Sequence, residues 1–220
     1  KFFISADGIY RKSDNYDAGN TKEVLYSQFQ KYNISLQTGY KISENQSIDA
    51  NIIYDKATDV GYPALPMDVS LAEAIIGSVT HHFENDSTFI NTLETKLYFN
   101  SITHIMDDTK RPIVPIRMDM PGWSDTYGFY SKATIIINKH NLSLNINGFY
   151  NKSLAEMTMY PNDPNQPAMF MYTWPDIRTL YTGVFVKDDF RFSANQTINT
   201  SIRLGYHKNN IALQEGLESL

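Results

Sequence analysis

Apolar and polar residues alternate along most of this chain, and that two-residue period limits its fold more than any other feature. In residues 142–151, Leu142 and Ile146 fall on one side of an extended chain, whereas Ser143 and Asn145 fall on the other. The same period recurs in three further stretches, residues 33–42, 47–55 and 197–207. Such a period is typical of β-strands with one apolar face and one polar face.

Two kinds of connection separate the alternating segments. Short polar turns are predicted at four places, residues 43–47, 84–87, 138–141 and 193–197. Much longer connections, which hold most of the prolines, are predicted over about residues 56–71, 107–125 and 158–176. Short periplasmic turns at one end and long extracellular loops at the other are the organisation of an antiparallel transmembrane β-barrel. We therefore predict an all-β fold of this kind.

The predicted strands are long, and we count about nine of them. Residues 87–106 alone could form one strand of about 20 residues, whereas a membrane strand needs only about 9 to 11 to cross the hydrocarbon. Bacterial single-chain barrels close with an even number of strands. The alternative of a soluble β-sandwich is less favoured, because sandwich strands are usually about 3 to 10 residues long.

Several features of composition narrow the possible functions. The chain begins at Lys1 without a signal-like apolar run, so we expect residues 1–220 to be part of a longer protein. It contains no cysteine, which excludes disulfides and thiolate metal sites within it. No apolar run is long enough for a transmembrane helix. The net charge is −5 and the sequence has no cluster of basic residues, so no nucleic-acid partner is expected.

The methionines have an unusual distribution. All eight fall in the predicted long loops or at the adjoining strand ends, at positions 67, 106, 118, 120, 157, 159, 169 and 171. Six of them form Met-x-Met doublets, Met118 with Met120, Met157 with Met159, and Met169 with Met171. Residues i and i+2 of an extended chain point the same way, so each doublet aims two thioethers in one direction.

His104 and Met106 form a similar pair, and the side on which they lie can be read from the alternation. They share a face with Glu94 and Lys96, opposite Leu97, and a charged face looks into the lumen of a membrane barrel. Extending the strand that starts at Leu142 as far as residue 159 without a bulge places Met157 and Met159 on the lumenal face too. Imidazole and thioether ligands suit copper. The alternative for these methionines is adaptable packing in long loops or against a partner.

Other candidate sites have less support. His81 and His82 are adjacent in a predicted strand and should point to opposite faces. Asp107 and Asp108 could bind a hard cation, but neighbouring loop carboxylates are ordinary surface residues. The sequence has no nucleophile elbow, phosphate loop or zinc-protease motif. We therefore predict neither an enzyme nor a catalytic cofactor.

Four segments carry a family resemblance, "VGYPALPMDVS", "KLYFNSITHIMDD", "VPIRMDMPGWSDTYGFYSKA" and "MFMYTWPDIRTLYTGVFV". They resemble the barrel of TonB-dependent outer-membrane receptors, most closely the copper-receptor branch in its Bacteroidetes-like form. The likeness extends from about residue 50 to residue 207. Its most specific part is "HIMDD" followed by "MDMPGW".

This resemblance implies a barrel of about 22 strands with a plug in its lumen. It also implies import of copper ions across the bacterial outer membrane, with energy from an inner-membrane TonB complex that contacts the plug. In the copper branch a His-x-Met pair on the barrel wall helps to bind the metal, and His104 and Met106 match that pair. Cys and Met residues on the plug complete the site. We therefore expect residues 1–220 to be a partial barrel, surrounded by outer-membrane lipid, without the plug domain or the final strands.

Other functions remain open at this point. The same barrel could import a siderophore, haem, cobalamin or an oligosaccharide, on which Trp123, Tyr172 and Trp174 could stack from the loops. A passive porin would lack a plug. A secreted β-sandwich binding module would be soluble without detergent. Under the copper hypothesis the best ligands are His104 and Met106, with weaker candidates at Met118, Met120, Met157, Met159, Met169 and Met171.

Overall fold

The computed structural model describes residues 1–213, and they fold entirely as strands, turns and loops. Eleven strands are present, with the following bounds: β1 Phe2–Ser13, β2 Asp17–Ala18, β3 Lys22–Glu23, β4 Phe29–Lys41, β5 Gln46–Val60, β6 Asp68–Glu84, β7 Thr92–Asp107, β8 Arg117–Ile137, β9 His140–Tyr160, β10 Met169–Ser193 and β11 Gln196–Ile211. No helix within residues 1–213 has the length and apolarity needed to cross a membrane.

Nine of these strands form one antiparallel sheet in which sequence neighbours are also spatial neighbours. Its order is β1-β4-β5-β6-β7-β8-β9-β10-β11. The strands β2 and β3 form a separate small hairpin in the connection between β1 and β4. The predicted number of strands is therefore confirmed. The main strands are 12 to 25 residues long and share one sheet, which is the layout of a barrel wall and not of a sandwich.

The connections differ between the two ends of the sheet, as the sequence predicts. One end carries the connections at residues 42–45, 85–91, 138–139 and 194–195. The other end carries residues 14–28, 61–67, 108–116 and 161–168. The connection predicted at residues 84–87 is longer than expected. It runs to Asn91, whose carbonyl accepts a hydrogen bond from the amide of Asn85 at 2.8 Å.

The predicted long loops are too long, because strands continue through prolines and other residues that usually signal loops. Residues 117–125 belong to β8 and residues 169–176 belong to β10. Pro121 lies where the β8–β9 ladder is interrupted, between the pairs Asp119–Thr158 and Gly122–Ala155. Pro175 lies within a register irregularity of β10. Proline cannot donate to a ladder, so it is tolerated at such irregular positions.

The two faces of the sheet have different compositions. Leu97 and Leu204 lie on the apolar face and are 60% and 69% exposed. None of the large side chains within residues 1–213 is completely buried. A single-layer wall has no second layer to pack against, and in an outer-membrane barrel its apolar face contacts lipid. The polar face, which carries Glu94 and Lys96, is the lumenal face.

Candidate metal site

His104 and Met106 lie at the loop end of β7. His104 stands directly opposite Gly122 of β8, and Met106 stands opposite Met120. The histidine is exposed and Met106 is half-buried. Both alternate in register with Glu94 and Lys96, which places them on the polar face as the sequence predicts.

Met106 and Met120 begin a row of methionines that crosses four strands. Met157 of β9 is paired with Met171 of β10. Between β8 and β9 the register is the same on both sides of the interruption at Pro121, so Met120 stands level with Met157. We call these four residues, Met106, Met120, Met157 and Met171, the inner methionine row.

A second row lies one step closer to the loops. Met118 of β8 pairs with Met159 of β9. Met159 also pairs with Met169 of β10. We call Met118, Met159 and Met169 the outer methionine row. Since each member lies two residues from a member of the inner row, both rows share the face that carries His104.

These placements complete and partly correct the sequence predictions. The β9 strand has no register shift against β8, so the placement of Met157 and Met159 on the lumenal face is confirmed. The other two doublets were expected in loops, but they lie in β8 and β10 with a defined direction. Met67 is the exception, since it is buried in the loop between β5 and β6 and stands outside both rows.

A groove adjoins the His104–Met106 pair on the same face. Its volume is about 580 Å³, and its lining includes His104, Met106, Met120, Gly122 and Trp174. Ala155, which pairs with both Gly122 and Trp174, also lines it. The other lining residues are Ile102, Pro121, Trp123, Ser124, Glu156 and Thr173. A side chain of Met or His in this groove has small neighbours and open space beside it. The groove therefore leaves space beside the His104–Met106 pair.

The long loops beside the methionine rows are fixed by a buried ion pair. Arg111 donates from Nε and Nη2 to the two carboxylate oxygens of Asp68, at 3.0 and 2.5 Å, and both side chains are buried. Arg111 Nη2 also donates to the carbonyl of Tyr62 at 2.9 Å. The guanidinium lies 3.5 Å from the ring centroid of Tyr26. One arginine thus joins three of the loops at this end.

Neighbouring carboxylates have structural partners as well. The buried Asp108 accepts hydrogen bonds from the amide of Met118 at 2.7 Å and from Arg117 Nη1 at 3.2 Å. Asp107 accepts one from the amide of Thr109 at 3.0 Å. These contacts account for the Asp107–Asp108 doublet without a hard cation. Within residues 1–213, no group of three or more His, Asp or Glu side chains is arranged to hold a metal ion.

An exposed pair adds a second connection between loops. Lys110 Nζ donates to Asp59, which also accepts a hydrogen bond from Gln28 Nε2 at 3.1 Å. The hydrogen bond from Lys110, aided by that from Gln28, lowers the pKa of the Asp59 carboxyl below its ordinary value against the effect of partial burial. The ionised carboxylate of Asp59 therefore holds Lys110 and Gln28 at the loop end of β5.

His81 and His82 point to opposite faces, as predicted. His81 pairs with Ile48 on the apolar face. His82 lies on the polar face, where its Nε2 is 2.7 Å from a carboxylate oxygen of Asp49 and its Nδ1 is 3.5 Å from Glu94. The two imidazoles do not share a site.

The three aromatic residues predicted in loops lie instead in strands, where their positions are divided between the two faces of the sheet. Trp123 pairs with Thr103 and Leu154 on the apolar side. Tyr172 pairs with Glu156, also on that side. Trp174 pairs with Ala155 and lines the groove beside His104. No register for Trp174 can be read from the sequence, although a strand glycine such as Gly122 signals a bulge or a close approach of the backbone.

Comparison with known proteins supports the barrel fold but does not show to which family the chain belongs. No family model matches the sequence, and no curated protein is significantly similar to it. The chain is similar to the solved structure of the copper transporter OprC, with a TM-score of 0.78 and 20% sequence identity over 94% of its own length. It spans about one third, 33%, of that chain. The nine-stranded sheet therefore has the fold of a segment of a β-barrel wall, and the similarity does not distinguish a Bacteroidetes-like branch.

Proposed function

We propose that this chain forms part of the wall of a TonB-dependent outer-membrane receptor that imports copper. The observation that carries the proposal is the arrangement of seven methionines and His104 on one face, at the end of the sheet next to the long loops. Thioether and imidazole groups favour soft copper over hard cations such as Mg²⁺ or Ca²⁺. Copper is the cargo here, and no covalent chemistry is assigned to the chain.

The two rows suggest a sequence of binding steps. An ion from outside first meets the outer methionine row, because that row lies closer to the loops. It passes to the inner row, whose members stand one strand spacing apart, about 4.8 Å. Several sites of modest affinity allow an ion to enter and also to leave. At the β7 end of the inner row, Met106 together with His104 supplies the mixed donor pair that holds the ion most tightly.

The remaining parts of the transport cycle lie outside this chain. We propose that a plug domain supplies the ligands facing His104 and Met106, and that a TonB complex drives the plug rearrangement that releases copper inward. The apolar face of the sheet contacts outer-membrane lipid in this arrangement. The similarity in fold to a copper transporter supports this proposal, as does the match of residues 104–106 to a His-x-Met pair.

A second candidate function keeps the barrel and changes the cargo to a siderophore, haem, cobalamin or an oligosaccharide. The observation that favours it is the indole of Trp174, which faces the groove and could stack on a planar ligand. Uptake of an organic cargo without any metal dependence would support this candidate over copper import.

The decisive experiment measures copper binding by the full-length receptor. We expect the His104→Ala, Met106→Ala double variant to lose the tightest copper site. His82→Ala is the matched control, because it removes another lumenal histidine that belongs to a carboxylate network and not to the methionine rows. Unchanged copper affinity and stoichiometry in the double variant would refute the site assignment.

A further inference from the structure

The groove beside His104 is built on one row of paired residues that crosses four strands. His104 pairs with Gly122, Gly122 pairs with Ala155, and Ala155 pairs with Trp174. The two large side chains stand at the ends of this row and the two smallest stand between them. Three strand spacings separate His104 from Trp174 along the row, or about 14 Å between their backbones.

The neighbouring rows close the long sides of this groove. The inner methionine row bounds it toward the loops. On the opposite side, Ile102 pairs with Ser124, which in turn pairs with Ser153. The floor lies close to the backbone because Gly122 and Ala155 have little side-chain volume. A Cβ added at Gly122 would lie 3.3 Å from the Cβ of Ala155 and would fill part of the floor.

The position of Trp174 is set by an irregular piece of backbone. The β9–β10 register shifts between Tyr172 and Trp174, and it shifts again between Trp174 and Ile177. Without the first shift, Thr173 and not Trp174 would stand opposite Ala155. Bulges of this kind redirect a side chain, often beside a functional site.

The residues after Trp174 hold this irregular backbone in place. Asp176 has a positive φ of 46°, an uncommon conformation for a residue with a side chain. Its buried carboxylate accepts hydrogen bonds from Arg178, including one at 2.8 Å from Nη2. Its carbonyl accepts one from the amide of Ala212 at 3.1 Å. The irregularity is thus a fixed feature that presents an indole to the groove, where it is 52% exposed.

A metal ion alone does not account for this groove. An ion held by His104 and Met106 occupies one end, whereas the volume of about 580 Å³ lies within the range of small-molecule sites, roughly 300–1,000 Å³. The far end offers the aromatic face of Trp174 and an apolar floor, which match a planar organic ring, and Glu156 also lines the groove there.

We propose that the groove is a binding subsite for a copper chelate with a planar heteroaromatic ligand. The ring stacks on Trp174 above Gly122 and Ala155, and the copper keeps open coordination positions that are filled by His104 and Met106. This inference rests on the proposed function for its metal end and adds the organic end. Trp174 and Ala155 then determine specificity for the chelate over the free ion.

The test compares two probes on the full-length receptor, copper ion alone and the one-to-one complex of copper with 2,2′-bipyridine. Loss of one stacking partner weakens binding by about tenfold in comparable aromatic contacts. We expect Trp174→Ala to lower the affinity for the bipyridine complex by about that factor, with the affinity for copper alone unchanged. Trp174→Phe should retain most of the affinity for the bipyridine complex. Ala155→Leu, which fills the floor, should lower that affinity as Trp174→Ala does.

Tyr172→Ala is the matched control, because Tyr172 lies two residues away on the opposite face. If Trp174→Ala and Ala155→Leu leave the affinity for the complex unchanged while His104→Ala weakens copper binding, the groove inference is wrong and the proposed function stands. Equal weakening of both probes by Trp174→Ala also overturns the inference. If the His104→Ala, Met106→Ala double variant leaves copper binding unchanged, the metal site on which both the proposed function and this inference rest is refuted.

Discussion

Met106 of β7 and Met120 of β8 stand directly opposite each other at the loop end of the lumenal face. Directly opposed residues in an antiparallel pair have Cβ atoms about 4.5–5.5 Å apart, close enough for two thioethers to meet one ion. Their alignment depends on the register of long strands and not on the local sequence. A shift of one residue in that register would send one of the two sulfur atoms to the lipid-facing side.

Removal of the outer methionine row should reduce the number of soft ions bound while sparing the tightest site. The triple variant Met118→Leu, Met159→Leu, Met169→Leu keeps side-chain volume, since Met and Leu exchange costs less than about 1.5 kcal/mol. We expect titration of the full-length receptor with Ag(I), a soft stand-in for Cu(I), to show at least one equivalent fewer. Met67→Leu is the control, because Met67 lies outside both rows. An unchanged number of equivalents would contradict the proposed capture step.

Loss of the buried Arg111–Asp68 pair should loosen the loop end of the barrel. Arg111→Met leaves the buried Asp68 carboxylate without its partner, which costs about 3–5 kcal/mol in comparable sites. We expect faster amide hydrogen exchange in residues 61–67 and 108–116, measured by mass spectrometry. Lys110→Ala removes an exposed ion pair of the same loop, worth about 0–1 kcal/mol, and should change exchange much less. Equal exchange rates in the two variants would show that Arg111 does not join the loops.

Acid should release the connection between Asp59 and Lys110. The pKa of Asp59 is lower in the folded state than in the unfolded state, so its contribution is present above the ordinary carboxyl pKa. The contribution is lost as the pH falls through the lowered value. We expect proteolysis of the loop at residues 108–116 by an acid-active protease to quicken as the pH falls below 3.8, the ordinary pKa of an aspartate carboxyl.

Asp59→Asn is the control for this pH effect. Asparagine tolerates the positive φ of 56° at position 59, so the backbone is retained while the titrating group is removed. The variant should be cleaved at a rate that no longer rises over the same pH interval. A rise of equal size in the variant would assign the effect to another group.

The strand pattern of this molecule was readable from the sequence because alternation reports a local property, the face on which each residue lies. The placement of His104 and Met106 follows from the alternation of residues 93–106, in which Leu97 and Phe99 share one face and Glu94 and Lys96 share the other. The alignment of Met118 with Met159 and Met169 could not be read in the same way. It depends on pairing between strands, and Pro121 and Pro175 indicated loops where the structure has irregular strand.

The groove was hidden for a related reason. Trp174 lies in the same row as His104 because the β9–β10 register shifts on both sides of it. A bulge of this kind leaves no reliable sign in a single sequence. The ion pair between Arg111 and Asp68 joins residues 43 positions apart, and neither residue carries a local motif. Both features belong to tertiary packing, which overrides the local signals on which sequence reading depends.

The two faces of β9 should respond in opposite ways to the same charge. Ile146 lies on the apolar face opposite Val184, whereas its neighbour Asn147 lies on the lumenal face opposite Tyr130. Arginine on the lipid face near the bilayer midplane costs about 2–4 kcal/mol, and a lumenal arginine remains in water. We therefore expect Ile146→Arg to reduce the amount of folded full-length receptor in the outer membrane, measured by its heat-dependent shift on gels, and Asn147→Arg to leave it unchanged. Equal recovery of the two variants would contradict the assignment of faces, and with it the direction of His104 and both methionine rows.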